Sequence, residues 1–322
     1  MSQLQPESAP ITGPAPTVRA PWWKRGVQNV LENPVIAKEL RGRMRGRQAF
    51  VMVSVYLALI SGFIVIFYLL AITGLGSSRW TPEFRQGLGK TIFGTVILME
   101  LLMTAFIAPG LTSGAVAAER ERGTFDLLRT TLLSARAFVL GKLGAAFAFL
   151  LLLIFAALPL ESIAFMLGGV GLEELLVSTL MLIVTAIHFC ALGLFFSSLT
   201  KRVLTATVSS YGSIVLGVLL LVVVLIVMAV ADSSFYNNPN SIWRDILSVS
   251  AWVILSTNPL FAAIMSETLL VDSQELFFTN TPFNSSNSLV VPSPWIIYTV
   301  LMLLLTWIMV WWSIRRVNRP DR

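Results

Sequence analysis

VLTATVSSYGSIVLGVLLLVVVLIVMAVA, residues 203–231, holds no charged side chain, and its reading decides the fold. A helix of about 20 apolar residues crosses the roughly 30 Å hydrocarbon core of a bilayer. This stretch is long enough and apolar enough to do so. Five others qualify beside it: 49–73, 91–112, 142–168, 173–199 and 294–314. Lipid offers no water to an open backbone, and no alternating pattern points to a barrel. All six are therefore read as helices.

Composition agrees. Of 322 residues, 56% are hydrophobic and only 12% charged, with a mean hydropathy of +0.79. A soluble domain of this make-up would expose far more apolar surface than water tolerates, so the expectation is an all-α integral membrane protein. Cys190 is the only cysteine and His188 the only histidine, which argues against an internal disulfide or a zinc or haem centre. The net charge of +6 is read as cationic segments facing anionic lipid, not as a nucleic-acid surface. Residues 1–21, with Pro6, Pro10, Pro14, Pro16 and Pro21 among small polar residues, read as a disordered cytoplasmic tail and not as an export signal.

Orientation follows from lysine and arginine. With the N-terminus inside, nineteen of the 23 fall in segments 1–48, 113–142, 201–202 and 313–322. Arg79, Arg85, Lys90 and Arg244 are left outside. Both termini are expected in the cytoplasm. The stretch DILSVSAWVILSTNPLFAAIM, 245–265, is a candidate seventh span, but Asn258-Pro259 splits it into short apolar halves. A seventh span would also carry the basic tail 315–322 outside. The stretch is read as a re-entrant helical hairpin in the outer leaflet, within an extracellular loop 232–293; a packed extracellular helix pair is the alternative.

Two segments on the cytoplasmic side carry more pattern than a connector needs. In NPVIAKELRGRMRGRQ, 33–48, Asn33 and Pro34 suit a helix start. Ile36, Leu40 and Met44 recur every four residues, with Lys38, Arg41 and Arg45 on another face. This reads as an amphipathic helix within 22–48, lying in the membrane interface; a plain positive-inside anchor would use the same charges. The segment 117–134 follows the second span, which is expected to run on through Glu119, Arg120, Glu121 and Arg122 until Gly123 breaks it. Thr124 can then cap a short helix presenting Phe125, Leu128 and Leu132, and Ser134 can cap the next. An exposed Phe–Leu face there implies a partner.

NPVIAKELRGRMR (33–45) and ERERGTFDLLRTTLLSARAFVLGK (119–142) resemble the permease subunit of type-2 ABC exporters. Glu119, Glu121, Gly123, Thr124, Leu128, Ser134, Gly141 and Lys142 match that family's second segment, while Leu132 stands where proline is commonest. The resemblance covers about 33–316. It implies that 117–134 is a coupling segment docking a cytoplasmic ABC ATPase, with Glu119, Arg120, Glu121 and Arg122 pairing across the interface, Gly123 and Thr124 at the hinge, and Phe125 and Leu128 filling a groove. It further implies a second permease copy, identical or paralogous, and a bacterial plasma membrane. ATP and magnesium would sit on the ATPase; this chain would bind no cofactor and catalyse nothing itself.

GLGKT, 87–91, lacks the earlier glycine of a phosphate-binding loop, since Phe84 stands there. Glu100 lies within the second span, where a carboxylate either serves function or is protonated and hydrogen-bonded. Glu161, following Pro159, is placed to line an exit. His188 and Cys190 read as packed within the fourth span, and Asn284 as a glycan acceptor only in a secretory pathway. The function expected is that of an exporter permease for an unidentified, lipid-like or amphipathic substrate. A non-transporting scaffold or sensor docking an ATPase is the alternative.

Overall fold

The computed structural model describes residues 38–42, 47–75, 81–125, 134–235, 242–273, 276–280 and 290–318. Its helices are α1 (Arg47–Leu75), α2 (Pro82–Thr112), α3 (Ala117–Glu121), α4 (Ala135–Leu167), α5 (Leu172–Leu199), α6 (Val203–Phe235), α7 (Ile242–Ser256), α8 (Pro259–Ser273) and α9 (Pro294–Asn318). Between α8 and α9, strands β1 (Phe278–Asn280) and β2 (Val290–Pro292) pair antiparallel, with Thr279 opposite Val291. Residues 38–42 are helical as well. Six helices are long and apolar enough to cross a membrane: α1, α2 continued by α3, α4, α5, α6 and α9. The chain is a multi-pass helical membrane protein.

These helices cover the stretches expected from hydropathy, with informative differences at the ends. Helix α2 begins at Pro82 and not at 91, because Thr81 caps it: Phe84 N donates to Thr81 Oγ1 at 3.3 Å, with proline in the first turn. Arg85 and Lys90 therefore ride on the helix. Ser134 caps α4 as expected, accepting from Ala137 N at 3.2 Å. The expected continuous run from 91 through Arg122 is instead broken. Helix α2 stops at Thr112, residues 113–116 form a turn, and α3 restarts at Ala117.

Helix α5 is the axis of the bundle, packing against α2, α4, α6, α8 and α9. Within its apolar stretch 61% of residues are buried inside the protein, against 0% for α6. An apolar helix that packs on its neighbours by only part of its surface leaves the rest to lipid. Between apolar helices in a bilayer, association comes from close packing and polar contacts more than from escape from water. Gly193 shows how close: a Cβ there would stand 2.2 Å from Thr112 Oγ1 and 3.1 Å from Pro109 Cα. Only glycine lets α5 meet α2 at that point.

Helices α7 and α8 form one apolar pair bent by 109°. The sequence signal for that break, Asn258-Pro259, has a visible cause. Asn258 Oδ1 accepts from Leu260 N at 2.9 Å, capping α8, while its Nδ2 donates to Gly217 O of α6 at 3.2 Å. Trp252 is fully buried, and its indole N–H donates to Pro292 O at 3.1 Å, fastening α7 to β2. The expected cap 232–293 thus starts later, since α6 runs to Phe235. Asn284 lies outside the described residues.

Candidate functional site

A polar cluster among the described residues bridges α3, α5, α6 and the start of α4. Val116 N and Ala117 N both donate to Ser197 Oγ, at 2.9 and 3.0 Å, which satisfies backbone donors where α3 begins. Arg120 Nη1 donates to Ser198 O at 2.7 Å and Thr200 O at 3.3 Å, the carbonyls left open where α5 ends. Glu121 Oε2 accepts from Val203 N at 3.2 Å, the first donor of α6. One short helix therefore closes the ends of two long ones.

Its own end is closed by a glycine. Gly123 N donates to Arg120 O and Thr124 N to Glu119 O, each at 3.0 Å, with Gly123 at φ +70°. That paired pattern with a left-handed residue is the Schellman stop, and it favours glycine because a Cβ is strained there. Thr124 Oγ1 then donates to Glu119 Oε2 at 2.6 Å. The other oxygen of Glu119 stands 3.7 Å from Lys142 Nζ, and Lys142 donates to Glu39 Oε1 at 2.6 Å. Glu39, Glu119, Thr124 and Lys142 so form one half-buried chain of contacts drawn from three distant parts of the sequence.

Of the coupling residues expected from the sequence, Glu119, Arg120, Glu121, Gly123 and Thr124 meet here, but largely on each other and on neighbouring helix ends. Phe125 is the correction. It is 4% exposed, packed into the core with the Arg120 guanidinium 4.9 Å above its ring, so it presents no free apolar face. The spacing of Phe125 and Leu128 marked a helix face but could not say whether the protein or a partner covers it. Glu121, Arg122 and Gly123 are exposed. Leu128 and the rest of 126–133 lie outside the described residues, as do Ile36, Met44 and Arg45. Lys38 and Arg41 are exposed and Leu40 half-buried on the helical residues 38–42. Glu39 and Ser197 were missed; the one legible signal was that Glu39 is the sole acid in the basic segment 38–47.

A second site lies inside the bundle. Glu100 of α2 and Glu161 of α4 are both fully buried, on two helices packed together and close enough to interact electrostatically. Neither carboxylate has another hydrogen-bond partner among the described residues. The sequence singled out both residues but gave no sign that they meet. His188 pairs with Thr306 Oγ1 of α9 at 3.2 Å, and Cys190 is buried, so both are packed in the bundle as expected.

No family model matches the chain, and no curated protein matches it.

Proposed function

We propose that this chain is the permease subunit of an ATP-driven exporter, working as a pair of permeases with two separate ABC ATPases. The observation that carries this reading is the convergence of Glu119, Thr124 and Lys142, matched residues of the exporter motif, into one contact chain with Glu39 at one end of the bundle. A segment so braced to the ends of α4, α5 and α6 is a stiff lever: a push on α3 moves those helix ends together. In this reading the described helical residues 38–42, α3 and the turn at 201–202 face the cytoplasm. The α7–α8 pair enters the outer leaflet as a re-entrant hairpin. The membrane is a bacterial plasma membrane, and the exposed side of α6, which carries Leu216, Leu219, Val223 and Ile226, meets lipid or the second permease. Apolar faces with few charges favour a lipid-like or amphipathic cargo.

Because Phe125 is inside the protein, the exposed Arg122 and Glu121 become the contact residues expected on the ATPase. The test is purification of the tagged chain from its native membrane, identification of a co-purifying ABC ATPase, and hydrolysis assays in lipid discs. Stoichiometric ATPase capture, weakened by Arg122→Glu, and hydrolysis stimulated by an amphipathic substrate are expected. Capture without substrate stimulation would favour a docking scaffold. Absence of any ABC ATPase would end the exporter reading.

A further inference from the structure

Glu100 and Glu161 are matched in depth by the antiparallel register of α2 and α4. Glu161 lies nineteen residues beyond Lys142 on α4, about 28 Å at the 1.5 Å rise of a helix. Glu100 precedes Glu119, the residue beside Lys142, by the same nineteen positions. The pair therefore sits almost a full hydrocarbon thickness from the charged end of the bundle, enclosed by protein. Both carboxylates are 0% exposed, and all four oxygens lack a donor. A third group stands with them: Tyr56 of α1, 3% exposed, its hydroxyl also without a partner and within electrostatic reach of both carboxylates. Helix α1 packs on α2 and α4, so the three residues share one interior corner.

We propose that Glu100, Glu161 and Tyr56 form an occluded proton-binding site, with one proton shared between the two facing carboxylates. Two ionised carboxylates in contact repel strongly where the dielectric is low, and each pays for lost water. One proton removes both problems: the acid donates to the carboxylate, and the pair keeps a single negative charge that titrates as a unit. That accounts for the missing donors, since two carboxylates can only accept. A divalent cation is a poorer occupant, because such ions take about six oxygen ligands and this corner offers two carboxyls and a phenol.

Among the described residues no other charge is placed to neutralise the pair. On α5 the neighbouring titratable group, His188, is engaged with Thr306. On α6, Tyr211 donates to Phe106 O at 2.6 Å. On α8, Glu267 lies against Gly94 and shares its surroundings with Glu174 and Lys90. On α9 the described cations, Arg315 and Arg316, sit in the last turn. The proton comes from and returns to water, so exchange requires α2 and α4 to part. Pro159 helps, since it removes a backbone donor two residues before Glu161. Tyr56 acts as a positioning residue, a hydroxyl donor available to the ionised form.

The site stands independently of the exporter reading, because its test reads the proton directly. Infrared spectra of the full chain in lipid discs should show a protonated-carboxyl band at neutral pH that is lost in Glu100→Gln/Glu161→Gln. Raising the pH should abolish the same band in the unaltered protein, which serves if the double variant does not fold. Tyr56→Phe should move that loss to higher pH, because the ionised form loses a donor; a structural role alone would leave the midpoint in place. A band unchanged in the folded double variant, or no band that titrates, would overturn the proposal. So would a melting temperature of the unaltered protein that depends on sodium or potassium relative to choline, which would mark a metal-cation site.

Discussion

Lys142 at the start of the third long span holds Glu39 at 2.6 Å, joining residues 103 positions apart in the sequence. The lysine side chain is 14% exposed and its partner 28%, so the pair is sheltered without being dry. Such a pair ties the helical residues 38–42 to the contact chain at α3. A double-mutant cycle with Glu39→Gln and Lys142→Met, read by thermal unfolding in detergent, should give a coupling of about 1 kcal/mol, within the range for contacting polar residues. A coupling below about 0.3 kcal/mol, the scatter for independent sites, would show that the contact adds nothing.

Gly123 at φ +70° is the stop of α3. Gly123→Ala should cost about 1 kcal/mol, the penalty for a Cβ in the left-handed region. Gly123→Pro should cost more, because proline holds φ near −65° and lacks the N–H that donates to Arg120 O. Limited proteolysis in the segment after 123 checks both. Resistance of the proline variant equal to the unaltered protein would contradict the turn described.

Gly193 and Gly217 make a controlled comparison. A methyl at Gly193 meets Thr112 and Pro109, whereas one at Gly217 meets nothing within 4 Å. Gly193→Ala should destabilise by roughly 1–3 kcal/mol through overpacking. Gly217→Ala should be neutral or stabilising by about 1 kcal/mol, as alanine is the better helix former. Equal melting temperatures for the two variants would mean that α2 and α5 do not cross so closely.

Topology can be tested at exposed positions on a background without Cys190. Val290 on β2 is 69% exposed, and Arg122 follows α3 on the surface. With the proposed orientation, Val290→Cys reacts with an impermeant thiol reagent from outside intact cells, and Arg122→Cys only after permeabilisation. The reverse pattern would invert the orientation of the whole bundle.

The number of long apolar helices was legible in the sequence because lipid permits so few solutions. A charge-free run such as 203–231 has no stable place other than a spanning helix. Local punctuation was legible too: Ser134 and the Asn258-Pro259 step are caps, and a cap depends on the residues just after it. The break between Thr112 and Ala117 was not legible, because Ser197, which satisfies the donors freed there, comes from another helix. The burial of Phe125 under Arg120 was hidden for the same reason. Spacing fixes which side chains share a face, but what covers that face depends on neighbouring helices. Glu100 and Glu161 could each be noticed as a charge in an apolar run. That they oppose each other, with Tyr56 alongside, is a matter of helix register, which arises only when α1, α2 and α4 pack together.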